Sequence, residues 1–292
     1  MRFGELTAFV SLVIPCLNEE AAVGAIVGDC LARGVDEVIV VDGGSTDATA
    51  EKAAAGGARV VVETRRGYGR ACAAGVSAVA VETEIIAFMD GDGSDSPEFL
   101  PAIIEPIASG RADFVMGSRV RGRRQEGALT RQQIAAGRMA GLMMRALHGV
   151  GFTDMSPYRA IRRRDLARLG MRETTYGWNL EMQMRAVAAK LRTLEIPVDA
   201  RRRVGGVSKV SGNLFAGIAA AWVIAQTFLR LEFELRHEGM SLRRTAFLKG
   251  SSASRSWRRS KAARRSAASR GTAGILRRSR FPAGSPEWRR RG

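Results

Sequence analysis

Three times in its first hundred residues this chain runs from a short apolar segment into a polar turn and then into a helix-like stretch. Phe9-Val10-Ser11-Leu12-Val13-Ile14 stops at Pro15-Cys16-Leu17-Asn18-Glu19-Glu20. Glu37-Val38-Ile39-Val40-Val41 stops at Asp42-Gly43-Gly44-Ser45-Thr46-Asp47. Glu84-Ile85-Ile86-Ala87-Phe88 stops at Met89-Asp90-Gly91-Asp92-Gly93. Short apolar runs bounded by such turns read as buried strands, and strands alternating with helices imply a parallel α/β sheet. The pattern predicts an N-cap at Asn18 with a helix reaching about Arg33, and a second N-cap at Ser96. Ligands of such sheets bind at the carboxyl ends of the strands. All three turns belong to that edge.

The third turn carries the sharpest chemistry. Two ionised carboxylates at the end of a buried strand are costly unless a cation satisfies them. Hard divalent cations take carboxylate oxygens and keep positions open for phosphate. On an extended backbone Asp90 and Asp92 point the same way, and the intervening glycine admits a ligand close to the main chain. The segment therefore reads as a metal–diphosphate platform. An isolated acidic turn before a helix cap looks much the same; three polar turns on one edge favour the site.

In this order the motifs resemble those of a family-2 glycosyltransferase with the GT-A fold, over roughly residues 8–235. They are Pro15-x-x-Asn18-Glu19, Val41-Asp42-Gly43-Gly44-Ser45-Thr46-Asp47, Arg65-Arg66-Gly67-Tyr68-Gly69-Arg70, Asp90-Gly91-Asp92 and Gly117-Ser118-Arg119. Further along stand Asp154-Met155-Ser156-Pro157-Tyr158-Arg159, Tyr176-Gly177-Trp178-Asn179-Leu180-Glu181-Met182 and Arg203-Val204-Gly205-Gly206-Val207-Ser208-Lys209. Within the family the chain is most similar to the polyprenyl-phosphate sugar transferases. The resemblance implies a three-layer α/β/α domain with a mostly parallel central sheet, its donor half at about 8–118 and its acceptor half at about 119–235. It implies a nucleoside-diphosphate-sugar donor, of the UDP-glucose or GDP-mannose class, and a Mg2+ or Mn2+ cofactor. Pro15, Leu17, Glu19, Asp42, Arg65, Asp90 and Gly91 are the expected donor residues, with Arg70 beside them. Asp90, Asp92 and Ser94 are the expected metal residues. Many relatives have a Gln-His-like pair where this chain has Ser94-Asp95, so either residue is a candidate third ligand. The Gln-x-x-Arg-Trp motif of processive synthases is absent, which implies transfer of one sugar per reaction, with inversion.

For the acceptor, Arg119, Ser156, Arg159, Arg203 and Lys209 form the expected phosphate-binding set, since arginine grips phosphate through a planar fork. Arg203 and Lys209 flank a glycine-rich loop that reads as a basic lid. A phosphate acceptor is already ionised near neutral pH. A hydroxyl acceptor needs a general base, and Asp154 or Glu181 is the candidate. Asp92, Asp154, Glu181 and Arg203 are thus the expected catalytic residues. Polyprenyl phosphate is the preferred acceptor, and a small soluble one such as a phosphorylated three-carbon acid is the alternative. A sugar nucleotidyltransferase would share the layered sheet, but its first loop is usually glycine-rich and basic; here it is acidic and lacks glycine.

The net charge of +17 invites a nucleic-acid reading. Residues 236–292, however, hold 17 Lys/Arg against two Glu, which leaves only +2 for residues 1–235. The tail is poor in large apolar residues and is expected to be disordered. Its charge suits an anionic membrane surface, and because the rest of the chain is nearly neutral no specific nucleic-acid partner is expected. Cys16, Cys30 and Cys72 lack metal spacing and fit a reducing cytoplasm. The uncharged run 210–229 is too diluted by small and polar residues to span a bilayer. It reads as an amphipathic helix that packs on the domain or lies at the cytoplasmic membrane face.

Overall fold

The computed structural model describes residues 8–204 and 224–237. Lys209, residues 210–223 of the uncharged run and nearly all of the basic tail therefore lie outside the described residues. Except for its last two residues, the described chain belongs to the unit Met1–Leu235.

Seven strands form one sheet in the order β3-β2-β1-β4-β6-β5-β7. They are β1 (Val10–Cys16), β2 (Glu37–Asp42), β3 (Arg59–Val62), β4 (Ile85–Phe88), β5 (Phe114–Ser118), β6 (Arg159–Arg162) and β7 (Thr193–Pro197). β6 runs antiparallel to both of its neighbours, β4 and β5, and the other pairings are parallel. The sheet is thus mostly parallel, as the sequence pattern predicts.

Side chains alternate between two cores because successive residues of a strand face opposite ways. Leu12, Ile14, Val38, Val40, Ile85 and Ala87 join one buried cluster, with Val23, Val27, Ile103 and Ile104 of the helices α1 (Val23–Ala32) and α4 (Leu100–Ala108). Val13, Ile39, Val41, Ile86 and Phe88 join the other. There they meet α3 (Tyr68–Ala78), α5 (Arg131–His148), α6 (Arg163–Leu169), α7 (Trp178–Ala188) and Phe228 and Leu231 of a helix over 224–235. α2 (Thr49–Ala55) closes the β2–β3 crossover. The result is three layers.

Two predicted caps turn out differently. Asn18 is not an N-cap: it sits in the left-handed region at φ 56°, and its side chain accepts from the Thr46 N–H at 2.9 Å. It thereby ties the β1 turn to the β2 turn, and α1 starts only at Val23. Ser96 does take the N-cap position, of a short 3₁₀ turn, Pro97–Phe99, that leads into α4, but its hydroxyl donates to the Glu98 carboxylate and makes no capping bond to the backbone.

Candidate functional site

The strand ends converge on a cavity of about 910 Å³. Pro15, Cys16, Leu17 and Glu19 come from the turn after β1, Gly43 from the turn after β2, and Asp90, Gly91, Asp92 and Ser94 from the turn after β4. Arg65 lines it as well, as do Arg66, Gly67 and Tyr68. The register brings these turns together: Cys16 pairs with Asp42 across β1 and β2, and Val13 pairs with Phe88 across β1 and β4. Gly91 is required here, because a Cβ would stand 2.3 Å from Cys16 Sγ. Asp90 and Asp92 both reach the cavity, as their spacing predicts.

The electrostatics of this floor are acidic. Burial and the neighbouring Asp95 and Asp92 charges push the Asp90 carboxyl well up. Asp95 is pushed up to about 6, mainly by burial, with the charge of Arg119 pulling the other way. Asp95 Oδ2 accepts the Asp90 N–H at 3.1 Å, while its buried Oδ1 has no hydrogen-bond partner. Burial and the surrounding carboxylates also raise the Cys16 thiol, which keeps it protonated and a poor nucleophile.

Arginines answer the carboxylates. Arg203 Nη2 lies 2.6 Å from Glu19 Oε1 and 3.6 Å from Asp92 Oδ2. Arg119, at the end of β5, is held by Asp154 in a fork: Nε donates to Oδ2 at 2.9 Å and Nη2 to Oδ1 at 3.1 Å. The Arg119 and Met155 N–H groups complete the carboxylate's set. Burial alone would raise the Asp154 carboxyl, but the Arg119 charge and these hydrogen bonds outweigh it and the net shift is downward. Arg119 itself moves up, because its pairing with Asp154 outweighs burial. Arg119 lines the cavity and Asp154 stands behind it.

Several expected site residues are used elsewhere. Glu181 is fully buried, and its carboxylate accepts the N–H groups of Arg172 and Glu173 and pairs with Arg185 Nε at 2.8 Å. It does not line the cavity, so it is a structural clamp and not a general base. Asp154, saturated by Arg119, loses the same candidacy. Arg159 is buried and donates to the carbonyls of Pro157, Asn179 and Ser156. Burial pulls it down to about 10, and it holds the chain rather than a phosphate. Ser156 Oγ accepts the Tyr158 N–H from a buried position. The Asp154–Arg159 segment leads from α5 into β6. Asp42 Oδ1 accepts from the Ser45 N–H and hydroxyl at 3.0 and 2.5 Å; Gly43, its neighbour, lines the cavity in its place. Arg70 is absent from the lining, and Arg65 is forked onto Glu63.

Other lining residues were not foreseen. Tyr68 and Tyr176 stack with ring centroids 6.1 Å apart, and Tyr68 OH donates to Asp90 Oδ1 at 3.4 Å. Thr130 and Gln133 line the cavity and form a capping box at the start of α5. The Thr-x-x-Gln spacing that makes this box is readable in a sequence. Tyr176 and Asn179 belong to the Tyr176-to-Met182 motif, but only Glu181 of that motif was expected in the site; tertiary folding brings these two to the cavity instead.

The donor set suits a divalent cation. Asp90, Asp92 and Ser94 present hard oxygens to the cavity, and the upward shift of Asp90 marks a place where positive charge is wanted. Among the described residues no three His, Cys, Asp or Glu side chains form a complete metal cage. Mg2+-like ions are commonly held by one or two carboxylates together with substrate phosphates. Ser94 lines the cavity and Asp95 does not, which favours Ser94 over Asp95 as an outer ligand.

Residues 11–170 match the family model described as glycosyl transferase family 2. An uncharacterized glycosyltransferase of Mycobacterium tuberculosis is 40% identical over 72% of this chain and 94% of its own length. A dolichyl-phosphate hexose transferase of Haloferax volcanii is 33% identical over 72% of this chain and 90% of its own. Among solved structures, glucosyl-3-phosphoglycerate synthase from M. tuberculosis, in complex with Mn2+, UDP and phosphoglyceric acid, superposes with a TM-score of 0.62. That match has 24% identity and covers 78% of this chain and 82% of the other; at that identity it speaks for the fold, GT-A, alone. By sequence and fold together the chain belongs to glycosyl transferase family 2 and is a glycosyltransferase.

Proposed function

We propose that this enzyme moves one hexose from a nucleoside-diphosphate sugar to polyprenyl phosphate. One observation carries the choice of acceptor. Among the described lining residues, the second half of the chain contributes Arg119, Thr130, Gln133, Tyr176, Asn179, Arg202 and Arg203 among others, but no Asp, Glu or His. A hydroxyl acceptor needs a base at the reacting oxygen. A lipid phosphate arrives with its nucleophile already ionised and needs only positive charge and orientation. A phosphorylated three-carbon acid that keeps its phosphate must react through a hydroxyl, which this wall does not serve. Leu129, Met155 and Pro157 add apolar surface on the same side. A relative named for hexose transfer to dolichyl phosphate points the same way.

The residues divide the work as follows. Pro15, Leu17 and Gly43 line the floor where the nucleoside would lie, with Arg65 and Arg66 at its edge. Asp92, with Asp90 and Ser94 near, would hold a divalent cation, which when bound neutralises the departing diphosphate. Asp154 fixes the guanidinium of Arg119 toward the cavity, so that the acceptor phosphate meets an oriented fork. Arg203 reaches from the second half to Glu19 and Asp92, and so stands where donor and acceptor meet. Tyr68 and Tyr176 stack along one wall.

The test is a two-phase transfer assay. Radiolabelled UDP-glucose and GDP-mannose are incubated in detergent with polyprenyl phosphate and Mg2+ or Mn2+. Label should enter the organic phase with one of these donors, and Asp92→Asn should lower that rate about a hundredfold or more, since a bound metal supplies several kcal/mol. Label that stays wholly aqueous with every donor, or an unaffected Asp92→Asn, would refute the assignment.

A further inference from the structure

Glu173 does not line the cavity, yet its side chain is only 10% exposed. It stands in the link between α6 and α7. Its Oε1 accepts the N–H groups of Thr174 and Thr175, each at 3.1 Å, and the Thr175 hydroxyl at 2.8 Å. Its Oε2 accepts from Arg230 Nη2 of the helix that carries Phe228 and Leu231. Arg230 also meets Glu234 at 3.1 Å. Burial alone would raise the Glu173 carboxyl, but the hydrogen bonds from Thr175 and Arg230 outweigh it and the net shift is downward. An ionised side chain thus winds residues 173–175 into one fixed turn.

That turn serves α3. The first N–H groups of a helix have no partner inside it, and Gly67, at the N-cap of α3, has no side chain to supply one. The Thr174 and Thr175 carbonyls do so instead: they accept the Arg70 N–H at 3.1 Å and the Gly69 N–H at 3.2 Å. Three glycines clear the space for this approach. A Cβ at Gly67 would stand 2.2 Å from the Thr174 carbonyl oxygen, one at Gly69 2.4 Å from that of Glu173, and one at Gly177 2.8 Å from the Glu173 side chain. Both sides of the contact lead into the cavity. α3 begins with Tyr68 and the turn runs on into Tyr176; the two rings stack, and the Tyr68 hydroxyl reaches Asp90. Thr175 and Asn179 line the same wall.

We propose that Glu173 is a positioning residue for donor binding: it fixes the turn that caps α3 and holds Tyr176 against Tyr68, and so sets the wall beside Asp90. This rests on the reading that Asp90 and Asp92 serve a cation and the donor diphosphate. It adds that the wall is set from behind the cavity, where Arg230 ties the turn to a helix from the end of the described chain.

The experiment measures binding of UDP-glucose and GDP-mannose, each with Mn2+, to the full chain by calorimetry. No acceptor is present, so failure of the polyprenyl-phosphate assignment leaves the result untouched. Glu173→Ala should weaken binding of the donor that the wild type takes by about tenfold, the scale of a lost hydrogen bond to a charged group. Glu173→Gln should stay within about threefold of wild type, because its amide oxygen still accepts from the Thr174 and Thr175 N–H groups. Tyr176 is 61% exposed, so Tyr176→Ala should fold, and it should weaken the donor by a similar factor. In the double variant the two losses should not add, since both act on one wall. Glu173→Ala that lowers the melting temperature but leaves the donor affinity of the folded protein unchanged would overturn the proposal by making Glu173 structural only. Additive losses, a Glu173→Gln as weak as Glu173→Ala, or a Tyr176→Ala with wild-type affinity would overturn it as well. A wild type that binds neither donor would overturn it together with the donor reading, whereas the other failures strike the positioning role alone.

Discussion

Asp154 and Glu181 carry the carboxylates that the sequence offers as proton acceptors, and each is bound to an arginine. A sequence shows that an acid is present but not what lies behind it. Asp154 and Arg119 are 35 residues apart, and Glu181 meets Arg185 one helical turn on while gripping the backbone of the preceding loop. Glu181→Gln should therefore act on stability. Breaking a buried ion pair costs about 3–5 kcal/mol, so a thermal melt should show a large loss while the folded fraction turns over within a few-fold of wild type. A drop of a hundredfold or more in turnover, the scale of a lost general base, would restore Glu181 to the chemistry. Arg119→Lys should behave in the opposite way. A lysine cannot reproduce the two-pronged contact with Asp154. The acceptor kcat/KM should fall about ten- to a hundredfold, matching about 1.5–3 kcal/mol for a hydrogen bond to a charged group. Donor affinity measured by calorimetry should stay near wild type.

At the scale of elements, the sheet was legible and its linchpins were not. Apolar runs gave β1, β2 and β4 within a residue or two, because strands buried on both faces leave continuous apolar stretches. The acidic turns gave the carboxyl edge, because Asp and Gly mark such turns for local reasons. α5 went unread, since its buried face is mostly Ala and Gly, with Met144 its one large buried apolar residue. The β6 reversal also left no local mark. Asp113, at the mouth of β5, holds that region together. Its carboxylate accepts from Arg162 of β6 at 2.5 Å and from Arg192, beside β7, at 2.7, 2.9 and 3.0 Å. The hydrogen bonds from Arg192 lead in holding its carboxyl down, from 3.8 to about 2. A depressed carboxylate stabilises the fold above its unfolded value and loses that contribution as pH falls through the folded one. Acid titration of stability should thus show a component that disappears between about pH 4 and pH 2. Asp113→Asn should flatten it; an unchanged acid limb in the variant would show that Asp113 does not supply this stability.

For the whole molecule, the cavity belongs to neither half alone. The first half supplies the acidic strand ends and the second supplies Arg119, Arg202, Arg203 and the aromatic and apolar wall, with Arg203 crossing to Glu19. On the proposed reading the first half's carboxylates would hold a cation and diphosphate, and the second half's arginines would receive a second phosphate. On that reading the attacking group is already an anion, and no side chain need remove a proton. The most direct measurement compares kcat/KM for a polyprenyl phosphate with that for the polyprenol of the same length, using one labelled donor. A labelled lipid is expected only from the phosphate, with the hexose released by mild acid as befits a glycosyl phosphodiester. Comparable transfer to the alcohol, or labelling of phosphoglycerate while the lipid phosphate stays unlabelled, would contradict it.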